Sequence, residues 1–131
     1  MKMKMITSGK PWEIKGLYSP AIMTYKKNLI FISGQVAYDN EGNIVGKGDI
    51  EAQARQIFTN IGDLLSAAGT DFNSVIKTNY YITDVNLWPK VSSLRTRYFK
   101  PPYPASTMVE IKSLVHPDLL LEIEVVAEVE C

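Results

Sequence analysis

The residues of this 131-residue chain whose types and spacing suit chemistry are few. Glu122 and Glu124 stand two apart in an alternating segment, so on a strand both carboxylates project from one face. A pair of that kind on an open face is a solvated surface. In a cleft between subunits, desolvation raises the pKa of Glu122 toward the range of a useful general base. Ser33-Gly34-Gln35 closes an apolar run, and a glycine there lets a ligand approach backbone N–H groups. The one histidine, His116, adjoins Pro117 in a polar loop and reads as surface, which leaves no Ser-His-Asp triad. One His and one Cys, Cys131, fall short of the ligands a metal site needs. Gly42-Asn43-Ile44-Val45-Gly46-Lys47-Gly48 has the glycines of a phosphate loop. Their spacing is one residue short, however, and Gly48 stands where the motif needs Ser or Thr. Asp49 would occupy the helix N-terminus an anion requires, so the segment reads as a turn and helix entry.

The elements that must hold these residues follow from periodicity. Ile50, Ala54, Ile57, Phe58, Ile61, Leu64, Leu65 and Ala68 form one helical stripe, with Asp49 as N-cap and Gly69 at the end. Leu87, Val91, Leu94 and Tyr98 mark a shorter second helix, capped by Asn86 or Asp84, with Pro89 in its first turn. Residues 1–6, 29–36, 75–83, 105–111 and 119–130 read as strands. Polar turns at 25–28 and 38–43 bound the 29–36 run. The order is β-β-β-α-β-α-β-β, an α+β sheet of about six strands with both helices on one face.

Segments 105–111 and 119–130 are adjacent in sequence and are predicted to pair as a hairpin, with Ser106 opposite Glu122. Thr107, Val109, Ile111, Leu121, Ile123, Val125 and Ala127 would then lie beneath the helices. Ser106, Met108, Glu110, Leu120, Glu122, Glu124 and Val126 would form the reverse face, extended by Lys77, Asn79 and Tyr81. Carboxylates mixed with large apolar groups suit neither open solvent nor a dry core, so that face is expected to be a subunit interface.

Composition bounds the rest. Apolar residues make up 46% and charged residues 21%, as in one globular domain, 1–131. Fourteen basic residues balance fourteen acidic ones, so nucleic-acid binding has no global electrostatic support. No apolar run reaches the length of a membrane span, and the alternating start lacks the apolar block of a signal peptide. With no intrachain disulfide possible, a cytoplasmic protein is expected.

Several blocks together resemble the RidA/YjgF family. They are Ile32-Ser33-Gly34-Gln35; Glu51-Ala52-Gln53-Ala54-Arg55-Gln56 with Asn60 and Ala67-Ala68-Gly69; Val75-Ile76-Lys77-Thr78; Thr83-Asp84-Val85; Pro104-Ala105 with Val109-Glu110-Ile111; and Glu122-Ile123-Glu124-Val125-Val126-Ala127. Their order and spacing hold from about Tyr18 to Ala127. The resemblance implies a chorismate-mutase-like α+β fold, assembled as a homotrimer with sheets lining a barrel and small-molecule clefts between subunits. It implies hydrolysis of reactive 2-imino acids to 2-keto acids and ammonia, with neither metal nor cofactor. By the same resemblance Glu122 activates water, Ser33 and Gly34 contact substrate, and Tyr18 closes the cleft, although Tyr18 is two residues further from Ser33 than is common. Ser106 replaces the arginine that holds the substrate carboxylate, with Met108 beside it, and the connection before Pro104 is about three residues shorter. Exchanging a bidentate arginine contact for a hydroxyl costs about 1.5–3 kcal/mol, roughly 10- to 150-fold in recognition. Lys77 and Arg97 are the cations considered as substitutes. The expected activity is therefore a hydrolytic deaminase of imines or enamines with altered or weak turnover. The alternative is a non-catalytic small-molecule-binding or regulatory trimer.

Overall fold

A computed structural model describes residues 3–14, 18–24 and 28–129. Residues 1–2, 15–17, 25–27 and 130–131 lie outside the described residues, and with them Cys131 and most of the turn expected at 25–28.

The strands are β1 (Met3–Ile6), β2 (Ala21–Thr24), β3 (Leu29–Gln35), β4 (Val75–Ile82), β5 (Ala105–Glu110) and β6 (Leu121–Glu128). They form one six-stranded sheet in the order β1-β2-β3-β6-β4-β5. Helices α1 (Ile50–Ala67) and α2 (Trp88–Leu94) cover one face. Asp49 caps α1 as expected, its carboxylate accepting from the Ala52 N–H at 3.1 Å. Gly69 takes φ 83° just past the end of α1, the left-handed conformation that stops a helix. Asp84 caps the short turn ahead of α2 by accepting from the Asn86 N–H, and α2 itself has no side-chain cap. Gly42 lies in a turn gathered on Asp39, whose carboxylate accepts from the N–H groups of Glu41 and Asn43, and the Gly46 carbonyl accepts from the Asp49 N–H in a second turn that enters α1.

Alternation decides which residues are buried. Ile30 and Ile32 of β3, Thr78, Tyr80 and Ile82 of β4, and Leu121, Ile123, Val125 and Ala127 of β6 point under the helices. They meet the Ile57, Phe58, Ile61, Leu64 and Leu65 stripe of α1. One buried polar side chain ties the layers together. Gln53 donates to the carbonyls of Gly46 and Asp118 and accepts from the Leu120 N–H, which anchors the entry to β6 on α1.

The predicted hairpin is corrected. β5 runs parallel to β4, with Lys77 beside Ala105 and Thr78 beside Ser106, and β6 lies on the other side of β4 with Glu122 beside Tyr81. β4, α2 and β5 make a crossover unit, and such a unit delivers parallel neighbours. Residues paired across a ladder share a face. Thr107 and Val109 therefore belong to the uncovered face, and Ser106 and Met108 to the helix side, the reverse of the hairpin register.

Candidate functional site

Glu122 is placed by β6 and confined by β3. The β3–β6 register shifts between Ile32 and Gln35, so Ser33 and Gly34 form an irregularity facing the middle of β6. The Glu122 side chain lies directly over Gly34. A Cβ added there would collide with its Cγ, Cδ and Oε2, so a side chain at 34 would have to push the Glu122 carboxyl aside. Ser33 donates its hydroxyl to the Ser19 carbonyl at 2.6 Å, and its N–H binds Pro20, which fastens the segment carrying Tyr18 beside β3. Tyr18 itself is exposed.

The two carboxylates are unlike. Glu124 accepts from Asn79 Nδ2 at 2.6 Å and from the Tyr81 hydroxyl at 2.7 Å. The bond to Glu124 in turn holds the Tyr81 phenol above its ordinary pKa of 10.0. Glu122 is half-buried, and among the described residues no donor reaches its carboxylate. Burial first, and the Glu124 charge second, push its pKa above the ordinary 4.5. One carboxylate is thus held as a fixed acceptor and its neighbour is left free to take a proton, the division of labour that acid–base catalysis uses. A concavity of about 290 Å³ beside Glu124 is lined by Phe31, Ser33, Lys77, Asn79 and Glu124, and Glu122 is not part of its lining. Lys77 donates to Thr107 Oγ1 at 2.8 Å, on this same face.

Ser33, Gly34 and Glu122 therefore gather on the uncovered side of β3 and β6, and Tyr18 is tied to them only through the bonds of Ser19 and Pro20 to Ser33. Ser106 and Met108 do not join them. Ser106 is two strands across and three residues along from Glu122, about 14 Å by ordinary strand spacing, and on the opposite face. Arg97 lies exposed in the turn after α2, and His116 is exposed, its Nδ1 accepting from the Asp118 N–H. Among the described residues no three His, Cys, Asp or Glu side chains converge as a metal site requires. No described helix is long and apolar enough to cross a membrane.

Sequence reasoning missed Arg95, which lines a cavity on the helix side with Ser106. The signal was present. Arg95 follows Leu87 and Val91 at helical spacing, so a charge interrupts what is otherwise an apolar stripe.

A mixed sheet covered on one face, with a desolvated carboxylate over a glycine on the other, defines a class of small α+β proteins. The family described as Endoribonuclease L-PSP matches residues 10–129. The chain is 39% identical to a RutC family protein of Pyrococcus horikoshii, over 97% of this chain and 98% of that protein. It is 32% identical to a human protein named 2-iminobutanoate/2-iminopropanoate deaminase, over 95% of this chain and 88% of that one. Among solved structures, a Rid family protein from Yersinia pestis superposes with a TM-score of 0.87 at 35% identity, covering 97% and 99% of the two chains. This chain belongs to the Endoribonuclease L-PSP, or RidA/YjgF, family.

Proposed function

We propose that this protein is a hydrolytic deaminase of reactive imines and enamines, with Glu122 as its general base. The observation that carries the reading is the Glu122 carboxylate, lifted in pKa by burial and by Glu124, pressed over Gly34 and, among the described residues, left without a donor. Glu122 takes a proton from water as the oxygen attacks the carbon of a protonated imine. The resulting carbinolamine gains that proton at nitrogen, the C–N bond breaks, and ammonia leaves as the C–O bond becomes a carbonyl, the hydroxyl proton passing through Glu122 to the departing ammonia. Protonated imine and water are consumed, and a carbonyl compound and ammonium are formed. The names of the curated relatives support 2-imino acids as the substrate class.

The reading extends to a homotrimer. Met5, Phe31 and Val109 remain 49%, 46% and 41% exposed on the uncovered face, and burying such side chains is what drives association. Because Ser106 and Glu122 of one chain occupy opposite faces, a single substrate meets both positions only where two protomers adjoin. The test follows keto-acid release from freshly generated 2-iminopropanoate. Release above buffer that falls about 100-fold or more in Glu122→Gln supports the reading. Release equal to buffer, or unaffected by Glu122→Gln, overturns it. Ligand-induced thermal stabilisation without product favours the non-catalytic alternative.

A further inference from the structure

The stretch 7–14 bonds both to α1 and to the chain leaving β3, and it buries two charges that the Glu122 chemistry leaves unused. Glu13 is 1% exposed and Lys10 is 8% exposed. Lysine and glutamate are seldom buried so deeply unless paired, and here both are. The Glu13 carboxylate accepts from the hydroxyls of Thr7 and Ser8 and from the Ser8 N–H, which folds the stretch back on itself. Lys10 reaches outward instead. Its Nζ donates to Asn60 Oδ1 at 2.7 Å and to Asp63 Oδ2 at 2.8 Å, both on α1. Nearby, Trp12 donates Nε1 to the Asp39 carbonyl at 2.7 Å and meets the Tyr38 ring edge-on.

Asn60 passes the Lys10 contact on to the sheet. Its side chain is 1% exposed, and all four of its hydrogen-bonding positions are used. Oδ1 accepts from Lys10 and, at 2.9 Å, from Gln56 Nε2, while Nδ2 donates to the carbonyls of Val36 at 3.2 Å and Tyr38 at 2.9 Å. Two donors on Oδ1 fix which way the amide faces, and so aim Nδ2 at the two carbonyls. Val36 is two residues beyond Gly34. On the near side, Ser33 is bonded to the carbonyls of Ser19 and Pro20. The irregularity beneath Glu122 is therefore gripped at both ends. One grip is made by Ser19 and Pro20, the other by Lys10 acting through Asn60.

We infer that Lys10 is a positioning residue for Glu122, holding Gly34 in place through Asn60 and the Val36 carbonyl. The Glu122 carboxyl rests against Gly34 with no space between for even a methyl group, so a shift of Gly34 shifts the resting place of the carboxyl. A base moved from its productive position loses rate steeply. Lys10 itself touches no reacting atom, and its effect falls on turnover more than on substrate binding. As a statement about rate this rests on the deaminase reading, whereas as a statement about what holds residues 33–38 it does not.

The test compares the full chain with Lys10→Met by two measurements, keto-acid release from 2-iminopropanoate and backbone amide hydrogen exchange. Methionine roughly keeps the side-chain volume, and Asp63, 47% exposed, is left to water, so no buried charge is stranded. Lys10→Met is expected to lower kcat about tenfold while KM changes less than about twofold. Exchange at residues 33–38 is expected to quicken about tenfold or more, with the amides of α1 unchanged. A general loss of stability would quicken α1 as well. Lys10→Arg, which keeps a donor for Asn60, is expected to recover part of the loss. Gln56→Leu removes the other donor to Asn60 Oδ1, gives a smaller change of the same kind, and serves as the second variant should Lys10→Met fail to fold. Arg55→Gln, at a surface pair with Glu51 on α1, leaves both measurements unchanged. An unchanged kcat in folded Lys10→Met, a loss confined to KM, or exchange quickened evenly through α1 and the sheet overturns the inference. No turnover in the parent removes the deaminase reading, and exchange at 33–38 then decides whether Lys10 holds that segment. Turnover in the parent with kcat and exchange both unmoved in Lys10→Met removes only the role given to Lys10.

Discussion

A carboxylate at its ordinary pKa is ionised at neutral pH but is a feeble base, and raising its pKa improves proton transfer until protonation takes over. Burial and the Glu124 charge move Glu122 in that direction. The deaminase rate is thus expected to fall with decreasing pH along a limb centred above 4.5. In Glu124→Gln the limb shifts toward lower pH, because the repelling charge is gone, yet stays above 4.5 because burial persists. A pH–rate profile of the two proteins checks this. Stability carries the opposite sign to activity. The folded Glu122 pKa exceeds the unfolded one, so the folded state holds more protons in the window between them, and stability falls as pH rises through it. Glu122→Gln is therefore expected to melt no lower than the parent at about pH 8, an advantage that disappears below about pH 4, as thermal melts at both pH values would read. Gly34→Ala places a methyl where the Glu122 carboxyl sits, and is expected to lower the rate about tenfold or more through misplacement of the base. A keto-acid assay beside a melt separates that loss from unfolding.

Elements decide which side chains can meet. The α1 stripe and the alternation of β3, β4 and β6 were legible because one face of each is apolar, and Asp49 and Gly69 were legible as end signals. The company of Glu122 with Ser33 and Gly34 came from the family resemblance, whereas the residue pattern alone set Glu122 beside Ser106. β5 was not legible. Its residues alternate weakly and both faces are largely exposed at this sheet edge, so nothing in the local pattern fixed which side Ser106 takes. Nearness in sequence suggested pairing with β6, whereas the crossover through α2 imposed pairing with β4. Gln53 shows how β6 is brought back to the middle of the sheet: a helix side chain receives the Leu120 N–H and grips the Asp118 carbonyl. Gln53→Leu keeps the volume but strands three backbone groups, and is expected to cost about 2–4 kcal/mol, measured by urea unfolding.

On the scale of the whole molecule, a sheet with one face under helices and the other carrying the exposed Met5, Phe31 and Val109 offers an apolar face for the proposed association. Sedimentation is expected to give about three chain masses. Phe31→Lys, which places a charge on that face, is expected to shift the protein toward single chains and to lower deaminase rate with it. An intact trimer in Phe31→Lys would mean that association uses another surface.

The contact between Glu122 and Gly34 also sets the order in which the two positions are able to diverge. A lineage that first shortens the acid opens room for alanine opposite it, and abandons the base in doing so. A lineage that first gains the methyl keeps its acid but holds it displaced, with nothing won in exchange. Holding the carboxyl at its present place over the sheet therefore ties the two positions together, and a side chain at 34 would signal an acid at 122 either shortened or swung aside.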